Sequence, residues 1–316
     1  MDPVSDALRA VRLTGAYFYL VEAAGPWAVA SVPARELVPR ILPEAEHLIA
    51  YHILVAGESW GAIEGEPQVR MRAGDVLLFP QGDAHVMSSG EGIGVGSART
   101  TAASARYPET LGLGPVAERD TRLVCGYLGC DVRPFNPVLT SLPRQLHLPG
   151  VASGWLSQFP QQVVAESRAG RVGSETMLTR MAELMFAEVV RRHVEAMTSE
   201  QTGWLAGLRD AVVGPALAQL HARPAHAWTL DELARTIASS RSVLAERFSR
   251  LVGVAPMQYL TRWRLQLAAE RLARGTSKVA AIGAQVGYDS EAAFSRAFKR
   301  ETGQSPAAWR RSHRVT

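Results

Sequence analysis

Only two cysteines, Cys125 and Cys130, stand in the 316 residues of the chain. They are too few and too close together for a disulfide framework, and a reducing cytoplasm is the expected compartment. No stretch approaches the roughly 20 apolar residues that cross a bilayer. The opening MDPVSDALRAV has no basic stretch ahead of an apolar one, so neither a membrane span nor a secretory leader is expected. A nucleophile elbow, an HExxH pair and a phosphate-binding glycine loop are missing too, which argues against the enzyme classes built on them. Charged residues make up 20% of the chain and hydrophobic ones 47%, a balance that suits a folded globular protein and not a disordered one. The length suits two domains, each with its own core.

The charge that is present is unevenly spread. Residues 204–316 hold 17 Lys/Arg against 8 Asp/Glu, leaving 17 against 22 in residues 1–203. A basic region joined to a mildly acidic one suggests that one half meets a polyanion and the other does not.

Between Ala16 and about Arg99 the apolar stretches WAVASV, HLIAYHILV, PQVRMR, DVLLFP and GIGVGS are broken by glycine and proline, the pattern of strands in a compact β sandwich or barrel. GEGIGVGS reads as a glycine-rich strand end, because no amphipathic helix follows it before Pro108. Prolines 108, 115, 134, 137, 143 and 149 mark turns, with two or three more strands expected over residues 100–150. From Ser174 to Met197 the apolar positions Met177, Leu178, Met181, Leu184, Met185 and Val189 recur at helical steps. They predict one long amphipathic helix that packs on the β region or pairs with its copy in a homodimer. TSEQTG at 198–203 is the candidate linker.

After Trp204 the chain repeats itself at an offset of fifty residues: Phe248, Arg250, Gly253 and Pro256 recur as Phe298, Arg300, Gly303 and Pro306. Ser240 matches Ser290, and Tyr259 is answered by Trp309. Each glycine suits a helix end that needs positive φ, and each proline the first turn of the next helix. Thr229 can cap a helix with Leu230, Leu233, Ala234 and Ile237 inward, followed by a turn and a second helix from Ser240. That is a helix-turn-helix, whose second helix enters the major groove. Val279, Ile282, Ala284 and Val286 begin the second copy, with Gly287 as the turn. Met257 to Arg274 joins the copies as one helix of about 27 Å.

The second copy, IGAQVGYDSEAAFSRAFKRETGQSPAAWR, resembles the signature of AraC-type transcription regulators, and the resemblance spans residues 208–312. Gly283 replaces a usual alanine, and the first turn, ASS, lacks the usual glycine. The resemblance implies that Ser242, Ala245, Glu246, Glu291, Ala292 and Arg296 face base edges. Arg296 could bind guanine in bidentate fashion, the glutamates could accept from cytosine, and the alanines can only touch a thymine methyl. Ser290 joins the set at the start of the second reading helix. Arg241, Arg247, Arg250, Lys299 and Arg300 flank it as candidate phosphate contacts. Double-stranded DNA and RNA polymerase are the implied partners.

Gly74, Pro80, Gly82 and His85 in GDVLLFPQGDAH resemble the second motif of cupin barrels, with Ser89 in place of its asparagine. The first motif is incomplete: Tyr51, His52 and Gly57 stand near its place, and Leu54 occupies the second histidine position. The region looks like the sensing barrel of AraC-type regulators, with a small-molecule effector of unknown identity. His52, His85, Cys125 and Cys130 together would suit a tetrahedral zinc site; a dithiol redox switch and simple buried packing of the cysteines stay open beside it. The expected fold is a two-domain α+β chain. It has a cupin-like β-barrel over 1–150, a helical dimerisation or packing segment with linker over 151–203, and an all-α domain over 204–316 with two helix-turn-helix units joined by a long helix. The expected function is DNA-binding regulation of transcription. A cupin-type metal-dependent enzyme with an accessory DNA-binding domain is the alternative.

Overall fold

Residues 3–10, 13–93, 109–131, 134–150, 155–198 and 201–313 are described by a computed structural model. The chain divides into two compact units, one of residues 13–131 and 142–195, the other of residues 196–316 joined by 1–12 and 132–141.

In the first unit, strands β1 (Leu13–Ala23), β3 (His47–Ala56), β6 (Val76–Phe79), β8 (Glu109–Leu113), β9 (Thr121–Cys130) and β10 (Leu146–Leu148) form a six-stranded sheet in the order β10-β6-β3-β9-β1-β8. A four-stranded sheet, β2-β7-β4-β5, takes β2 (Ala28–Ser31), β4 (Glu58–Ile63), β5 (Val69–Arg72) and β7 (His85–Ser88). Among the described residues no strand pairing joins the two sheets, so where a cupin-like barrel was expected the strands lie in two sheets sharing one core. Alternation explains the shared core: Tyr17, Tyr19 and Val21 of β1, Ala50 and Leu54 of β3, Leu77 and Phe79 of β6, and Leu123, Cys125 and Tyr127 of β9 lie at every second position and cluster with Ile63, Met71 and Met87 of the smaller sheet. Among the described residues between 100 and 150 three strands appear, β8, β9 and β10, where two or three were expected. The expected strand GIGVGS lies outside the described residues from position 94 onward, as does Pro108.

Gly82 of the cupin-like motif shows why that position is glycine. Its φ is +69°, and a Cβ there would sit 2.6 Å from Ala34 Cβ. Asp75 anchors the same segment, accepting from Arg72 N–H at 3.0 Å and from Gly150 N–H at 2.6 Å, with His147 Nε2 at 3.0 Å.

The helices, in chain order, are α1 (Pro3–Ala10), α2 (Ala34–Ile41), α3 (Pro137–Ser141), α4 (Phe159–Ala169), α5 (Ser174–Ala196), α6 (Trp204–Arg209), α7 (Val213–Ala222), α8 (Leu230–Thr236), α9 (Arg241–Val252), α10 (Pro256–Arg274), α11 (Val279–Gln285), α12 (Glu291–Thr302) and α13 (Pro306–Ser312). Helices α2, α4 and α5 belong to the first unit and the others to the second. The long helix read from Met177 and its partners is α5, and it buries Leu178, Ala182, Met185, Phe186, Val189 and Val190. Helices α1 and α3 pack in the second unit, although their residues lie far upstream of position 204.

The two halves of the second unit are built alike. Ser240 Oγ accepts from Val243 N–H and Ser290 Oγ from Ala293 N–H, both at 3.2 Å, capping α9 and α12. Both helices end on a left-handed glycine, Gly253 at φ +81° and Gly303 at +75°, and prolines 256 and 306 open the next helices. The first turn lacks glycine at a cost. Ala238 takes φ +53°, the one positive value at a non-glycine among the described residues, where the second turn has Gly287 at +90°. A left-handed alanine costs about 1–2 kcal/mol, and glycine gives back roughly half of that as lost chain entropy. Ala238→Gly is therefore expected to stabilise the helical unit by about 0.5–1 kcal/mol in chemical denaturation. A loss of stability would show that Ala238 is not strained.

Candidate nucleic-acid interface and core pocket

The second helices of the two pairs present matching faces. On α9, Leu244, Phe248 and Leu251 are buried, and Arg241, Ser242, Val243, Glu246, Ser249 and Arg250 are exposed. On α12, Phe294 and Phe298 are buried, and Glu291, Ala292, Arg296, Lys299 and Arg300 are exposed. Helical geometry forces this: positions four apart share one side, so a buried pair at 244/248 or 294/298 leaves 242/246 and 292/296 outward. All the expected base-facing residues except Ala245 are exposed; Ala245 is half-buried on the flank. Ser290 works as the N-cap of α12.

Of the expected phosphate contacts, Arg247 has a partner within the protein. Its guanidinium lies 2.5 Å from the carboxylate of Asp210, which is itself only 9% exposed. Burial pushes the Asp210 carboxyl up, but the N–H groups of Val213 and Val212 and the Arg247 guanidinium outweigh it and hold the group below the usual range. Arg247 thus ties α9 to the start of α7. Sequence reading missed this because Asp210 lies far from Arg247 along the chain. It also missed Val243, an apolar side chain 40% exposed on the face of α9. Arg241 keeps a loose pairing with Asp231 at 3.5 Å, both well exposed. Arg264 is half-buried and donates to the carbonyls of Pro224 and His226 at 2.7 Å and of Gly287 at 3.2 Å, bracing the second turn.

In the first unit, Tyr19, Val21, Trp27, Val29, Ser31, Met87 and Leu123 join His52, His85 and Cys125 around a narrow cavity of about 20 Å³. His85 Nδ1 lies 2.9 Å from the Asp83 carbonyl, so it carries the proton and donates. His85 Nε2 is then an acceptor for His52 Nε2–H at 2.8 Å, and His52 Nδ1 an acceptor for the Cys125 thiol at 3.0 Å. Burial fits this neutral chain. It pushes His85 down to about 4, with the Asp83 carbonyl partly opposing it, and holds His52 well below the ordinary value, assisted by His85. Burial also raises the Cys125 thiol far above its ordinary range, which keeps it protonated.

Cys130 does not join this group. Inward positions on β9 are the odd ones, 123, 125 and 127, and an offset of five turns Cys130 to the other face, level with His47 and Leu13. The expected four-ligand set of His52, His85, Cys125 and Cys130 is therefore not assembled. Among the described residues no group of three or more His, Cys, Asp or Glu is arranged to hold a metal ion. Both cysteines are free and buried. The pocket walls Tyr19 and Val21 were missed because β1 is apolar on both faces, which hides its period of two.

This is a cupin domain joined to a helix-turn-helix domain: residues 2–195 match the cupin family and residues 233–312 the helix-turn-helix domain. A putative AraC-like transcription regulator of Streptomyces antibioticus is 34% identical over 302 residues, covering 87% of this chain and 97% of its own. One of Streptomyces lividans, so named too, is 32% identical over 319 residues, covering 98% of each chain. A solved AraC-type regulator from Chromobacterium violaceum is 22% identical with a TM-score of 0.31, over 32% of this chain and 91% of that one, too loose a likeness to add to the assignment. The chain belongs to the AraC family of transcription regulators. No described helix is long and apolar enough to cross a membrane.

Proposed function

We propose that this regulator reads its operator with two helix-turn-helix units, α8–α9 and α11–α12, and that the cupin unit adjusts the reading when a small molecule enters its pocket. The observation that carries the first part is the matched exposure of the two faces, 241/242/246/250 and 291/292/296/300, over equivalent buried phenylalanines. Helix α10, with 19 residues, spans about 28 Å and suits two recognition helices held roughly one DNA turn apart. With Arg247 engaged by Asp210, the exposed cations Arg241, Arg250, Lys299 and Arg300 remain as phosphate contacts. The slope of log K against log salt for the full chain should then be near −4. A flat salt dependence would remove DNA reading by this face.

For the second part, the neutral His52–His85–Cys125 chain and the apolar walls favour an uncharged, mostly apolar effector. A zinc ion on His52, His85 and Cys125 is the competing occupant, and it requires the His52–His85 hydrogen bond to break and the thiol to lose its proton. Elemental analysis of protein purified without a histidine tag separates the two: about one equivalent of zinc favours the ion, and less than about a tenth of an equivalent favours the organic effector. The reading places the protein in the cytoplasm with RNA polymerase as a partner. It also includes a homodimer, for which Met177 and Leu184 of α5, 54% and 59% exposed two helical turns apart, give support.

A further inference from the structure

The cores beneath the two exposed helices are closed in different ways. Under α12, Phe294, Phe298 and Trp309 pack with Ile282, Val286 and the α10 residues Leu265, Ala268, Ala269 and Leu272, all from residues 265–309. Under α9, Phe248 meets Tyr259, the counterpart of Trp309, edge-on at 5.7 Å, and that ring also meets residues from far upstream. Phe135 packs edge-on against Tyr259 at 5.6 Å, and its N–H donates to Gln266 Oε1 at 3.0 Å. Ser141 Oγ accepts from Trp204 N–H at 3.2 Å, and Trp204 Nε1–H donates to Tyr259 Oη at 2.7 Å. Tyr259 Oη is 2.7 Å from Nε2 of His221, whose ring stacks on Trp263 at 4.1 Å. Helix α1 reaches the same cluster, with Ala7 fully buried and the Asp6 carboxylate 3.9 Å from His221 Nδ1.

We infer that Phe135, the rest of residues 134–141 and helix α1 are positioning elements for DNA reading: packed on Tyr259, Gln266 and His221, they hold α9, and not α12, in its reading orientation. This rests on the proposal that both helices read DNA. The asymmetry follows from chain geometry. Tyr259 touches both Phe135 and Phe248, so deleting the half-buried Phe135 ring removes packing one residue away from the buried side of α9, whereas the cluster under α12 contains no residue from either segment.

The test is a quantitative footprint of the full-length protein on an operator selected by the wild type, with the α12 half-site identified as the one lost in Arg296→Ala. Phe135→Ala should weaken protection of the α9 half-site about tenfold, and leave the α12 half-site within about twofold. Phe135→Tyr, which keeps the ring, should restore the first half-site. Ser141→Ala, a smaller change that leaves the ring in place, should shift the same half-site in the same direction. Equal weakening of both half-sites, or no change in either, would overturn the inference while leaving two-helix reading intact. A wild-type protein that protects no pair of half-sites would overturn two-helix reading itself, and the inference with it.

Discussion

Phe298→Ala is expected to destabilise the helical unit by about 3–5 kcal/mol and to abolish protection of the half-site read by α12. Phe298 is fully buried and lies between Phe294, at 5.6 Å, and Trp309, at 5.7 Å. Truncation leaves a cavity that these two rings cannot both collapse into, because each is also held by its own helix. The void lies on the inward face of α12, opposite Arg296, so the helix loses the surface that sets its orientation. Chemical denaturation of the full chain, followed by circular dichroism of its helices, measures the first effect and footprinting the second. A stability loss below about 1 kcal/mol would mean that the packing around Phe298 is looser than its burial indicates.

Arg296→Ala is expected to cost about 1–3 kcal/mol of binding and to flatten base preference at one or two positions, as loss of a bidentate guanine contact would. Arg250→Ala should instead weaken all sequences about equally and lower the salt slope by roughly one. The difference follows from placement: Arg296 occupies the middle of the exposed face of α12, whereas Arg250 sits in the last turn of α9. Binding to a library of mutated operators measures both. Identical profiles for the two substitutions would erase the division between base readers and phosphate contacts.

Much of the helical unit was legible in the sequence because its signals are local. Glycine caps, prolines at helix starts and serines at N-caps act within a turn of their own position, and the fifty-residue repeat made each signal appear twice. The exposed faces of α9 and α12 followed from the spacing of buried residues alone. What was not legible depended on contacts distant in sequence. Arg247 looks like its neighbours until Asp210 is seen beside it, and the contribution of α1 and residues 134–141 to the core under α9 has no local signature at all. In the cupin unit, apolar stretches bounded by glycine and proline found β3 and β6, but the sequence reading did not single out β1, apolar at successive positions from Tyr17 to Val21 and without a readable period. The expected four-ligand set was lost on parity: two cysteines five apart on one strand cannot face the same interior, and that became visible only once β9 was known to run unbroken from Thr121 to Cys130.

The most direct measurement for two-helix reading is selection of bound DNA from a random pool by the purified full-length protein. The enriched sequences should contain two conserved blocks whose centres lie about one helical turn, roughly 10 base pairs, apart, and one of them should carry a guanine whose preference disappears in Arg296→Ala. Enrichment of a single block, or no enrichment over the starting pool, would contradict it.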